Sequence, residues 1–509
     1  MHGDTADMAQ QRRAAAWARL ALVAAGVAFA YGLLRLLFHA RSALGYRYGL
    51  DYGEGVVWQQ MHGIVAGHGY APLRLLPAFV YEYPPLYHLL TYAVASLGGL
   101  DELFAGRLVS LAAMLLSAAL VGWLSASALG SEDRRVRISA GLFAGLVFAT
   151  LPVTLAWSLL MRVDMVGCAL TLAGLLLSAR AARTPIWAIA AGLTFTAALY
   201  ARQTCLPAPA AAFVVLWIVR PRTAWLLAVS AVASGLVALV AVGGRDFLLH
   251  ILFYNINPIV WEHGHRLAMV LSTTAVTLAL GAAGAAAGLR RLRARGPAPL
   301  RTRLRGDRQL VVIALLLLTL SFKTVMLPAI LKTAASDNYL IDWFAPLAAL
   351  AGVAAAPAIR SAWGRGAPAS ALLLILIALG LPAGMLDPPL RPDVAATARA
   401  TAANDAVVAR IRASAKPVVA EEDMTVLLRA GQPIVWEPAI IAELGSAGVY
   451  DDRALARRVR RGDFGFFITN GRRGETLYDQ RFTPVLDQAI QAAYPRQEQV
   501  GSLTLHLPA

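Results

Sequence analysis

The chain has 509 residues, 58% of them hydrophobic and 15% charged, with a mean hydropathy of +0.58. A soluble globular chain holds about 45–50% apolar and about 25% charged residues, so the composition excludes an ordinary soluble enzyme and points to a polytopic membrane protein with one soluble appendage. The net charge of +16 is uneven: from Asp387 onward 15 Lys and Arg balance 15 Asp and Glu, leaving 31 bases against 15 acids before it, a pattern of positive loops on an anionic leaflet rather than a nucleic-acid surface.

In chain order, Arg12, Arg13 and Arg19 precede an apolar run from Leu20 to Phe38. No small-residue cleavage signal closes that run, so it reads as an uncleaved first span with a cytoplasmic N-terminus. A span needs roughly 20 apolar residues. Candidates fall at 16–38, 106–129, 138–160, 164–179, 186–204, 206–219, 224–243, 267–289, 309–327, 339–358 and 368–386, eleven in all. Pro207, Pro209 and Pro346 lie inside them, which membrane helices tolerate when neighbours satisfy the freed backbone groups. Cys168 and Cys205 both fall in apolar stretches and read as small core residues rather than a disulfide framework.

One segment decides the topology. "PPLYHLLTYAVASLGGL", Pro84 to Leu100, is apolar but short, opens on two prolines and carries His88 and Tyr92. As an interfacial helix it leaves 20 bases inside and 11 outside. As a span it turns the arginine-rich run from Arg290 to Arg308 outward, against the positive-inside rule. The interfacial reading gives a transmembrane domain over 1–386, whose first outer loop covers about 40–105. A unit at 387–509 then lies on the periplasmic or extracellular side. In that unit "KPVVAEED", "GQPIVWEP" and "DFGFFITN" have strand character, while "AATARATAANDAVVARIRAS" and "DRALARRVRRG" have helical periodicity. A small α/β domain behind a "DPPLRPD" hinge is expected.

With this topology the long polar motifs gather on the outer side. Asp51 and Glu54 sit in "LDYGEGVVWQQ" of the first loop, and "YEYPPLYH" with Tyr81, Tyr83, Tyr87 and His88 closes it. Arg107 opens the second span, and Arg162 and Asp164 form an Arg-x-Asp turn. Arg202 with Gln203 follows, then Asn255 and Asn257, then Lys323, Lys332 and "SDNYLIDW" with Asp337, Asn338 and Tyr339. Ionisable residues at membrane depth are costly and usually face an interior site. Each also has a structural reading. Asp51 suits a helix N-cap, and Glu54 a first-turn acid. Arg162 and Asp164 suit a salt-bridged turn, Lys323 and Lys332 interfacial snorkelling, and the tyrosines interfacial anchors.

The acidic pair after the first helix, "YPPLYHLL" at Tyr83–Leu90, "GRLVSL" at Gly106–Leu111 and the Arg162–Asp164 turn together resemble the GT-C superfamily of membrane glycosyltransferases. Within it the chain resembles bacterial glycosyltransferase family 39-like proteins, relatives of protein O-mannosyltransferases and aminoarabinose transferases. The resemblance covers roughly residues 15–360 and does not reach the tail. It implies a GT-C-like polytopic α-helical membrane protein with about eleven transmembrane helices and interfacial helices in the first outer loop, in a bacterial inner membrane. It also implies inverting transfer of a sugar from a polyprenyl-phosphate donor to a glycan, lipid or protein acceptor at the outer face.

Asp51 is then the expected general base, with Glu54 a second site acid. Substrate contacts are expected from Tyr83, His88, Arg107, Arg162, Asp164, Arg202, Gln203, Asn255, Asn257, Lys332, Asp337, Asn338 and Tyr339. The cations among them suit a phosphate that leaves with its charge. No covalent intermediate or nucleotide is required, and no cofactor is certain. A divalent cation, Mg or Mn, has only weak candidate ligands in Asp51, Glu54, His263 and His265, because H-x-H in one loop is a weak metal signature. A flippase or transporter of a lipid-linked glycan, and a non-catalytic glycan-binding scaffold, are the competing readings. No internal repeat of the kind many transporters carry is seen.

Overall fold

The computed structural model describes residues 2–255, 257–261, 264–294, 298–333, 335–363 and 390–509. The membrane-type part is built of α1 (His2–Gly45), α2 (Tyr52–Val65), α3 (Leu86–Gly98), α4 (Glu102–Ala128), α5 (Arg134–Thr150), α6 (Pro152–Ser158), α7 (Asp164–Ala181) and α8 (Trp187–Ala201). It continues with α9 (Pro207–Val219), α10 (Pro221–Ala241), α11 (Gly244–Leu248), α12 (Gly264–Thr273), α13 (Ala275–Arg293), α14 (Leu300–Gly306), α15 (Arg308–Met326) and α16 (Ile341–Ala362). Prolines at the first turn start α6, α9 and α10, where the missing N–H costs nothing. Asp51, Asp101, Asp133 and Asp307 cap α2, α4, α5 and α15 by accepting backbone N–H bonds.

Every predicted span falls on a helix except 368–386, which lies outside the described residues. Length and apolarity sort the described helices into three groups. Six described helices satisfy both, or eight if each bent pair is one span: α5 with α6, bent by 66°, and α12 with α13, bent by 78°. Helices α8 and α9 are apolar but have only 15 and 13 residues. At 1.5 Å per residue neither reaches the roughly 30 Å of a hydrocarbon core unaided. The expected interfacial segment is α3, with 13 residues, also too short to cross; Leu89, Leu90, Tyr92 and Leu97 on it are exposed.

Packing follows small residues. Helix α16 is buried throughout except at Pro357 and Arg360. A Cβ on Gly284 would lie 2.0 Å from the Leu350 carbonyl oxygen, and one on Gly352 would lie 2.7 Å from that of Ala140. Between α4 and α5 the same holds for Gly122, Gly141 and Gly145. Close backbone approach is how helices associate where lipid is as apolar as the side chains. On α10 the opposite pattern, exposed Val229, Val232, Leu236, Val237 and Val240, marks an apolar face left open among the described residues.

The C-terminal part carries one four-stranded sheet, β1 (Val419–Ala420), β2 (Phe467–Thr469), β3 (Arg496–Val500) and β4 (Leu503–Leu507), in the order β1-β2-β4-β3. Strands β1 and β2 are parallel and the other pairs antiparallel. Gly501 at φ +63° forms the β3–β4 turn, where a side chain would be strained. Two of the three expected strand runs are strands. "GQPIVWEP" is instead extended chain whose Trp436 bridges to Ala78 in the first loop of the membrane part. The β3–β4 hairpin was not anticipated; "RQEQV" is too polar to register as a strand, and it lies at the edge of the sheet. The hydrophobic cores are shared between the two parts: Ala78 and Val80 pack with Trp436, Ile440 and Phe467, and Tyr48, Phe79 and Tyr81 with Val407, Val426 and Leu505.

Candidate active site

A cavity of about 300 Å³ lies where the first loop, the turns after α6, α8 and α11, the segment before α16 and the C-terminal part meet. Its cationic residues are Arg162, Arg202 and Lys332, and its carboxylates are Glu82, Glu437 and Glu443. Tyr52, Tyr83, Gln203, Asn255, Asn257, Asn338 and Tyr339 complete the polar lining.

Asp51 is not itself a lining residue; it precedes Tyr52 and Gly53, which are, and it pairs with the lining Arg162. As the N-cap of α2 its Oδ2 accepts from Gly53 N at 2.9 Å and pairs with Arg162 Nη1 at 3.2 Å. Arg162 comes from the turn between α6 and α7, donates to the Tyr83 hydroxyl at 3.2 Å and lies over the rings of Trp157 and Tyr83. Its Nε is buried and has no partner. Gly53 is required here for close approach: a Cβ would fall 1.1 Å from Arg162 Nη1.

Glu54 is placed differently from its expected site role. It is fully buried and takes Arg107 in a two-pronged pair, Nε to Oε1 at 2.8 Å and Nη2 to Oε2 at 2.7 Å. The amides of Leu50 and Met161 donate to the same carboxylate, each at 2.7 Å. Arg107 in turn donates to the carbonyls of Ala43, Tyr46 and Tyr48. The pair ties the end of α1, the start of α2, α4 and the turn before α7 together, and neither residue lines the cavity. His88 is likewise buried, between the Pro84 carbonyl and Gln60 Oε1, and does not reach the cavity. Asp337 is not among its lining residues either.

Arg202 and Asp164 belong to a buried, charge-balanced cluster. Arg202 Nη2 pairs with Asp164 Oδ1 at 3.2 Å and Nη1 lies 3.7 Å from Asp342 Oδ2, which Lys323 Nζ meets at 2.8 Å. Asn338 donates to Asp164 at 2.8 Å, and Arg202 sits over the Tyr339 ring at 5.2 Å. Gln203 donates to the Glu82 carbonyl at 3.0 Å. Asn257 joins the Thr333 carbonyl to Glu443 Oε2, the latter at 2.8 Å. Asn255 donates back to the His250 and Ile251 carbonyls.

The three cavity carboxylates were not singled out in the sequence. Burial, with Glu437 and Glu443 beside it, pushes the Glu82 carboxyl up to about 8 against the pull of Arg162. Burial raises Glu437, and burial with the neighbouring Glu437 lifts Glu443 to about 7. Glu437 caps the helix Pro438–Ser446; Glu-Pro at a helix start was the available signal, and it says nothing of a partner in the membrane part.

Of the weak metal candidates, Glu54 has both oxygens bonded, by Arg107 and two amides, and Asp51 has Oδ2 bonded, by Arg162 and Gly53. His263 lies outside the described residues, and among the described residues no group of three or more His, Cys, Asp or Glu is placed to hold a metal ion.

No family model matches the chain, and neither does any curated protein sequence. Solved structures do. ArnT from Cupriavidus metallidurans, bound to undecaprenyl phosphate, aligns with a TM-score of 0.56 at 15% identity over 97% of this chain and 98% of its own. Its apo form gives 0.55, also at 15%, over 94% and 97%. The archaeal oligosaccharyltransferase AglB from Archaeoglobus fulgidus, in complex with an inhibitory peptide and a dolichol-phosphate, gives 0.51 at 12% over 96% of this chain and 74% of its own. The chain has the fold of the GT-C membrane glycosyltransferases.

Proposed function

We propose that this GT-C-fold chain moves a sugar from a polyprenyl-phosphate donor to an acceptor at the outer face of a bacterial inner membrane. The observation that carries the reading is a polar cavity lined by Arg162, Arg202 and Lys332 together with three carboxylates, with Arg162 paired to Asp51, the residue before the lining Tyr52 and Gly53. The neighbours' bound undecaprenyl phosphate and dolichol-phosphate support the donor class.

In the proposed reaction the acceptor's nucleophilic atom attacks the anomeric carbon from the face opposite the phosphate, so the configuration inverts. The new bond forms as the bond from that carbon to the phosphate oxygen breaks, and polyprenyl phosphate leaves with the electron pair. Asp51 takes the acceptor proton. Arg162 and Lys332 stabilise the charge that develops on the leaving phosphate. Arg202, already balanced by Asp164 and Asp342, is held as a fixed donor beside Tyr339. The acceptor enters on the side of Glu82, Glu437 and Glu443. A cavity at the membrane surface, beside the apolar helices, lets a lipid-borne donor arrive laterally in this reading.

The test is transfer by the purified chain in proteoliposomes, using lipid-linked sugars extracted from membranes of the source cells. The wild type transfers label to acceptor, and Asp51→Asn, expressed at the same level, does not. Undiminished transfer by Asp51→Asn sinks the base assignment, and lipid movement without any transfer by the wild type favours a flippase.

A further inference from the structure

We infer that the C-terminal part is a component of the catalytic apparatus, with Glu437 a positioning residue that acts through Tyr52 on the Asp51 loop. The chemistry it serves rests on the function proposed above; the mechanical claim does not.

The segment 46–56 is gripped from two sides. From the membrane part, Arg107 binds the carbonyls at Tyr46 and Tyr48 together with Glu54. From the C-terminal part, Thr425 Oγ1 accepts from Gly49 N at 2.7 Å, and Arg429 Nε donates to the Arg47 carbonyl at 2.7 Å. Asp405 pairs with Arg47 and accepts from the Tyr48 hydroxyl. The Tyr52 hydroxyl donates to Glu437, and the Arg481 guanidinium lies 4.3 Å above the Tyr52 ring. Tyr52 is the residue after Asp51 and itself lines the cavity.

The sequence carries a mark of this docking. A Cβ on Gly55 would meet Met424 Cβ at 2.9 Å, and one on Gly49 would meet Asp423 Oδ1 at 3.0 Å. Neither glycine has positive φ, so close approach, not turning, accounts for them. Glycine inside a helix costs about 1 kcal/mol relative to alanine, a cost that Gly55 in α2 carries where the C-terminal part lies against it.

Glu437 is fixed before it meets Tyr52. It is 1% exposed, and its carboxylate accepts from Ala439 N at 3.1 Å and Ile440 N at 2.9 Å. Its own amide donates to the Ala78 carbonyl at 2.9 Å. The helix it caps continues to Glu443, bonded to Asn257 on another wall of the cavity. Releasing this helix frees Tyr52 and withdraws two of the three cavity carboxylates at once.

The experiment is hydrogen–deuterium exchange of the full chain in nanodiscs, with undecaprenyl phosphate binding and lipid-linked sugar transfer on the same preparations. Glu437→Ala and Tyr52→Phe are expected to speed exchange over 46–56 by about tenfold, while peptides spanning β2 and β3–β4 stay protected. Undecaprenyl phosphate affinity stays within about twofold, and kcat falls with KM for the donor held. Glu437→Gln, whose one oxygen can keep the bonds from the Tyr52 hydroxyl and Ala439 N while that from Ile440 N is lost, restores much of the protection and of the turnover. Unchanged exchange over 46–56 in both Glu437→Ala and Tyr52→Phe overturns the proposal, as does loss of donor affinity with kcat intact. A wild-type chain that neither binds undecaprenyl phosphate nor transfers sugar counts against the function instead, and leaves the exchange result standing.

Discussion

Arg162 and Asp51 meet at 3.2 Å across the first turn of α2, and Gly53 is what lets them meet. A guanidinium beside this carboxylate holds its orientation and sits where a leaving phosphate needs positive charge. Alanine at 53 drives Arg162 off Asp51. Gly53→Ala is therefore expected to cut transfer by about a hundredfold or more, the scale of losing one oriented donor at a reacting centre. The cap bond from Gly53 N survives, so the apparent melting temperature in detergent changes little. A large stability loss with normal specific activity runs against this assignment.

Glu54 and Arg107 make the opposite prediction. Their pair is fully buried, and removing one partner leaves an uncompensated charge, at a cost of about 3–5 kcal/mol. Arg107→Leu and Glu54→Gln should each lower yield and shorten the half-life of the folded chain in detergent, measured by thiol-reactive dye unfolding. Their losses should not add, because both break one pair. Equal, additive losses of activity at wild-type stability return Glu54 to the reacting centre.

Charge at Arg162 and Lys332 is expected to set donor affinity. Arg162→Ala should weaken undecaprenyl phosphate binding about tenfold, or about 1.4 kcal/mol. Arg162→Lys should restore little of it, since an ammonium lacks the planar fork that spans Asp51 and Tyr83. Isothermal titration with undecaprenyl phosphate in detergent measures both, and full rescue by lysine removes the argument from geometry.

The carboxylate wall gives a pH dependence of known sign. Glu82 at about 8, Glu443 at about 7 and the raised Glu437 all bind protons more tightly folded than the ordinary carboxylate value near 4.5. The folded chain therefore holds more protons across that window, and stability is present below about pH 4.5 and lost as pH rises through 7 to 8. Arg162 beside Glu82 and Lys332 beside Glu443 pull in the opposite direction and soften the slope. Melting curves from pH 5 to 8.5 should fall for the wild type and flatten for Glu82→Gln/Glu443→Gln. A rise with pH in the wild type contradicts the assignment.

The helical membrane architecture was legible because long apolar runs have one solution in lipid. The bends within those runs were not: the break at Leu151–Pro152 and the bend at Thr274 divide runs that look continuous in sequence. At the site, Asp51, Tyr83, Arg162, Arg202, Asn338 and Tyr339 were singled out from one-sided clustering, and the fold gathers them. Glu54, Arg107 and His88 carried the same polar signature but are consumed internally, since a sequence does not tell a buried ion pair from a site facing substrate. Glu437 and Glu443 were invisible as site residues because they arrive from more than 350 residues away. Only Gly49 and Gly55 of "GLDYGEG" record that arrival, through the close approach of Asp423 and Met424.

The most direct measurement is the position of the donor phosphate in an experimental structure of the full chain with undecaprenyl phosphate. The account predicts the phosphate within ion-pair distance of Arg162 and Lys332, beside Asp51 and beneath Tyr339. A phosphate seated instead at the opposite arginine-rich surface formed by Arg291 and Arg303, with the Asp51 cavity empty, contradicts it.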